Sequence, residues 1–218
     1  MPNASLTIDG TEVIKKENGV ASIENIKIGS SVDTVSNASA GYKPAEVWLS
    51  TTEITAQDTI IDLPDGYKKY HVIGHNLFWG GTATSGDIRM YMRYNNNTQD
   101  DTGLQMSNFY SRLDTTGTGQ EVYDGFVNIS NNMGTDPTEN CFFDIWLNGC
   151  NEPNKTRGYT GHGMSTYGHA TDQEAYHYTI GFRSQLTDAI DGFRIYFHPD
   201  NNAITSYGGS IVVTGYTF

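Results

Sequence analysis

From residue 46 onward, apolar and polar side chains alternate in short runs separated by Gly, Asn, Asp and Pro. Ile88, Met90, Met92 and Tyr94 fall on one side of such a run, with Arg89 and Arg93 on the other. Tyr176, Tyr178, Ile180 and Phe182 repeat the pattern against His177, Thr179 and Arg183. In an extended chain successive side chains point to opposite faces, so a period of two marks a strand with one buried face. The pattern predicts strands over 47–50, 59–62, 69–79, 87–94, 105–113, 126–130, 141–147, 158–167, 174–183, 193–198 and 210–216. No apolar stripe recurs at i, i+3, i+4 and i+7 for three turns, so minimal helix is expected. Many short strands punctuated by turn residues predict an all-β fold, a β-sandwich of jelly-roll-like type.

Residues 1–45 carry a different pattern. Leu6 and Ile8 precede Asp9-Gly10, Val13 and Ile14 follow it, and Asn18-Gly19 leads into Ile23, Ile26 and Ile28. An Asp-Gly or Asn-Gly between short apolar runs is a hairpin signal. A lone hairpin is marginal in water, so these seven apolar residues need a surface to bury against. One reading is an extended N-terminal β-arm for anchoring and oligomerisation, spanning 1–45 before a sandwich domain at 46–218. The other is a set of edge strands packed on the same domain. Ser36-Asn37-Ala38-Ser39-Ala40-Gly41 reads as a linker.

The last thirty residues predict a closing hairpin. Phe193, Ile195 and Phe197 alternate with Arg194, Tyr196 and His198. Pro199-Asp200-Asn201-Asn202 supplies a turn, and Gly208-Gly209 launches Ile211-Val212-Val213-Thr214. That order resembles the closing segment of tailed-phage virion surface proteins, β-sandwich fibre and head-decoration modules. The residues carrying the likeness are Ile190, Phe193-Arg194-Ile195-Tyr196, Asn201-Asn202, Ser206-Tyr207-Gly208-Gly209, Ile211-Val212-Val213 and Gly215-Tyr216. Gly215 precedes Tyr216 here, the reverse of the family's order. Stretches 63–72, 87–93 and 109–112 are similar to earlier strands of the group, so the likeness spans 46–218. The resemblance implies a non-enzymatic virion structural protein assembled as a homotrimer. It would attach to another virion protein through the arm and contact host surface glycans.

Composition narrows the partners. A formal net charge of −12 argues against a grip on nucleic-acid phosphates or an anionic membrane surface. With 14 Tyr, 9 Phe and 3 Trp, the chain has ample core material despite its 24 Gly. Met1-Pro2-Asn3-Ala4-Ser5-Leu6 lacks the basic and apolar regions of a secretory signal, so synthesis in the cytoplasm is expected, with the protein staying there or leaving in an assembled particle or by lysis; the resemblance implies residence in a virion. Cys141 and Cys150 bracket a predicted strand, whose extension separates them too far for a disulfide; two free thiols are expected.

Candidate chemistry is sparse. Asp100-Asp101, Asp62 with Asp65, and Glu139 with Asp144 are carboxylate pairs, yet most sit in turn contexts where Asp serves the backbone. His71 and His75 lie about 13 Å apart along one strand face, too far to share a metal. His162 and His169 flank a Gly-rich stretch that could bring two imidazoles together, but structural hydrogen bonding is the expected role. No catalytic residue, metal site or cofactor is assigned. The aromatic residues Trp79, Tyr159, Tyr167 and Tyr207 fall at strand ends or in loops. There they either stack on sugar faces or fill core and subunit interfaces. Two other classes stay open: a stand-alone carbohydrate-binding module, and a polysaccharide-degrading enzyme needing two acids across a cleft.

Overall fold

The computed structural model describes residues 4–8, 11–17, 20–23, 46–81, 85–94, 98–99, 104–112, 118–135, 139–150, 160–168, 175–184, 189–199 and 204–217. The chain divides into two compact units, Met1–Ala45 and Glu46–Phe218. In the smaller, β1 (Ala4–Ile8), β2 (Thr11–Glu17) and β3 (Val20–Ile23) form an antiparallel three-stranded sheet. Leu6 is the register partner of Ile14, and Ile14 of Ile23. Ile8 and Val13 also fall in these strands, while Ile26, Ile28 and the linker lie outside the described residues.

The larger unit is all-β. Its strands are β4 (Glu46–Glu53), β5 (Asp58–Asp62), β6 (Lys69–Gly81), β7 (Gly86–Tyr94), β8 (Thr98–Gln99), β9 (Leu104–Arg112) and β10 (Thr118–Asp124). There follow β11 (Val127–Met133), β12 (Cys141–Asn148), β13 (Thr160–Gly168), β14 (Ala175–Ser184), β15 (Ile190–Pro199) and β16 (Ile204–Tyr216). An eight-stranded antiparallel sheet runs β10-β9-β14-β13-β12-β6-β16-β4, and a second runs β11-β7-β15-β5 with β8 beside β7. Their inner faces share one core, as in a β-sandwich. Tyr70, Val72, Phe143, Ile145, Tyr178 and Ile180 come from the larger sheet; Ile88, Met90, Phe193, Ile195 and Phe197 come from the smaller. Trp79 bridges the layers edge-on to Phe197, with ring centroids 5.6 Å apart.

Eleven of these strands match the alternation. The two it misses are β8, only two residues long, and β10, a polar strand at the edge of its sheet. The closing hairpin is corrected: β15 pairs with β5 and β7, whereas β16 pairs with β4 and β6 in the other sheet. The polar segment after Pro199 therefore carries the chain from one layer to the other. Nor does Gly208-Gly209 launch β16, which starts at Ile204. The glycines instead match a bulge. Asn76 has φ of 50° in β6, and opposite it Gly209 has φ of 102°. A Cβ on Gly209 would lie 2.5 Å from the Asn76 carbonyl oxygen, so only glycine fits there.

Cys141 and Cys150 are free and buried. Burial pushes the Cys141 thiol well above its ordinary range. The sign of the consequence is fixed. Above about pH 9 the unfolded chain loses this proton and the folded chain keeps it, so stability falls as pH rises, by at most about 1.4 kcal/mol per unit. Urea melts between pH 8 and 10.5 should show this loss, and Cys141→Ala should flatten part of it. An unchanged slope in that variant would contradict the assignment.

Candidate functional site: the outer face of the larger sheet

Strand alternation that buries one side of β12 turns Phe142, Asp144, Trp146 and Asn148 outward. Registers across the sheet extend this into rows. Trp48, Thr214, His71, Trp146 and His162 are successive cross-strand partners on β4, β16, β6, β12 and β13. The next row is Val212, Ile73, Asp144, Met164, Thr179 and Phe109. Of the five large apolar side chains exposed among the described residues, Trp48, Phe109, Phe142 and Met164 stand on this face. Each of the four is 38–59% exposed. The fifth, Ile60, lies opposite Arg194 on the smaller sheet. Scattered apolar residues on a surface are ordinary, whereas a contiguous patch marks an interaction site.

Polar chemistry threads the rings. The His71 imidazole stacks on the Trp146 indole at 4.2 Å between centroids and 8° between planes. Its Nε2 lies 2.8 Å from Asp144 Oδ1, a hydrogen bond between diagonal neighbours that fixes the ring. Tyr216 leans on Trp146 at 5.0 Å. Burial, then hydrogen bonding of its hydroxyl to Glu46, raises the Tyr216 pKa above the usual phenol value. Thr166 Oγ1 lies 3.3 Å from His177 Nδ1 further along the sheet.

The smaller sheet's outer face is occupied by its own pairs. Arg89 lies over Phe126 at 4.5 Å and 2.8 Å from Asp87. Arg194 lies over Tyr91 at 4.6 Å and 3.3 Å from Asp58. Arg93 sits 3.1 Å from Asp62 and 3.7 Å from Asp191. Each guanidinium there has a carboxylate beside it, so the face offers no excess positive charge for an anion.

Three of the four aromatic residues singled out by sequence are placed elsewhere. Trp79 and Tyr167 are 1% exposed members of the core, which corrects their assignment as glycan contacts. Both point inward because alternation assigns them to the buried side of β6 and β13. Tyr207 is half-buried, edge-on to Phe197 at 5.5 Å. Tyr159 and His169 lie outside the described residues, as do Asp100 and Asp101. His162 stands on a regular strand, not in a loop, with its outward neighbour Trp146. Among the described residues no three His, Cys, Asp or Glu side chains converge as metal ligands. The signal for the outer face was present in Cys141-Phe142-Phe143-Asp144-Ile145-Trp146-Leu147, where aromatics occupy both sides of the strand. A one-sided reading of that run hides Phe142 and Trp146. No protein-family model, curated protein or solved structure matches the chain.

Proposed function

We propose that the chain is a non-enzymatic structural protein of a virion surface, a fibre or decoration module. It works by laying the outer face of its larger sheet against neighbouring copies in a homotrimer. The observation that carries this reading is the cluster of Phe109, Met164 and Phe142 on one sheet face, large and exposed together. Phe109 and Met164 are separated by a single strand whose outward residue is Thr179, and Phe142 is the diagonal neighbour of Met164 on β12. Covering such a patch removes apolar area from water at about 25 cal/mol per Å². A closed ring of identical copies covers every patch once, which matches the trimer implied by the resemblance. Residues 1–45 then serve as the attachment to another virion protein.

The placement is tested on particles. Cryo-EM of purified virions, with mass spectrometry of their proteins, should find the chain in repeated copies on the outer surface. Absence from the particles, or a location within the packaged interior, would end this reading.

A further inference from the structure

Sulfur is divided unevenly between the interior and the surface. Five methionines and two cysteines fall among the described residues. Met90, Met92, Met106 and Met133 are 0–2% exposed, and Cys141 and Cys150 are fully buried, whereas Met164 is 46% exposed. Met106 Sδ is further engaged by the Asn128 backbone N–H, which donates to it at 2.8 Å. Burial raises the Cys141 thiol and so withholds the thiolate that oxidants attack. Of these seven sulfurs, Met164 alone is open to an oxidant in solution.

That sulfur occupies the middle of the apolar cluster. Met164 has Asp144 of β12 and Thr179 of β14 as its register partners. Phe142 is its diagonal neighbour on β12, and Phe109 stands one strand beyond Thr179. A peroxide oxidises a thioether in one two-electron step. The sulfur lone pair attacks one peroxide oxygen, the S–O bond forms as the O–O bond breaks, and the second oxygen leaves as water. The product is a polar, chiral sulfoxide, which disrupts contacts that the flexible apolar side chain had made. Asp144 beside it, when ionised, accepts hydrogen bonds and has none to donate to the new oxygen. Covering the cluster would then bury a polar group where an apolar one had been.

We propose that Met164 is a reversible oxidation site, and that its sulfoxide keeps free copies of the chain from joining through this face. The proposal rests on the reading of that face as the contact between copies. Within an assembled ring the sulfur is covered, so the reaction acts on the unassembled chain. The test treats the full chain with hydrogen peroxide over a dilution series. Peptide mass spectrometry then locates the added oxygen, and native mass spectrometry reads the assembly after peroxide removal and reconcentration. Met164 should oxidise at least about tenfold faster than Met90, Met92, Met106 and Met133. Chains oxidised there should stay monomeric, with an unchanged circular dichroism spectrum, at concentrations where the untreated chain is trimeric. Methionine sulfoxide reductases for both sulfoxide epimers should bring the trimer back. Met164→Leu, a volume-conserving change, should keep its trimer through the same treatment. A buried methionine reacting as fast as Met164 would overturn the proposal. So would oxidised copies that assemble as untreated ones do, or loss of the trimer in treated Met164→Leu. Untreated wild type at the monomer mass would overturn the assembly reading and the effect of the sulfoxide with it, a result distinct from the others because it comes before any peroxide is added.

Discussion

Replacing Trp79 by alanine should remove about 3–5 kcal/mol of folding stability, the cost of emptying a large aromatic site in a packed core. For a chain of this size that is a fall in Tm of roughly 6–20 °C. The indole is 1% exposed and packs edge-on to Phe197 of the opposite sheet, so its loss opens the contact between layers. Its Nε1–H is buried without a hydrogen-bond partner among the described residues. Phenylalanine at this site forfeits part of the packing but also removes an unsatisfied donor, and should cost under about 1.5 kcal/mol. Thermal melts of the two variants check both numbers. If alanine and phenylalanine proved equally mild, Trp79 would have to be a surface ring after all.

That residue marks where the sequence was legible and where it was not. Alternation is a local property, and it placed Ile88, Met90 and Met92, or Tyr178, Ile180 and Phe182, on one side of their strands as the structure has them. It also assigns Trp79 and Tyr167 to a side, but not to the core or the solvent. Which side is covered depends on the second sheet, and partner strands come from far along the chain. The β15–β16 connection failed for the same reason. A polar turn between two alternating segments looks identical whether the strands pair or separate into different layers. Pairing with β7 and β5 for one, and β6 and β4 for the other, is decided by residues more than fifty positions away. The outer-face row was invisible for a related cause. Trp48, Trp146, Met164 and Phe109 lie on four strands, and only the registers make them one surface.

The second large effect concerns assembly. Phe109 and Met164 are exposed, so changing them to aspartate should alter the stability of a single copy by no more than about 0.5 kcal/mol each. In a covered patch the same changes bury unpaired carboxylates, which costs several kcal/mol per ion. Each copy contributes its patch, so the penalty multiplies around a ring. Native mass spectrometry of the full chain and of the Phe109→Asp/Met164→Asp double variant is therefore the most direct measurement. Wild type should appear at three times the monomer mass, and the double variant as a folded monomer with an unchanged β-type circular dichroism spectrum. A monomeric wild type, or a double variant that assembles as wild type does, would show that this face is not the contact surface.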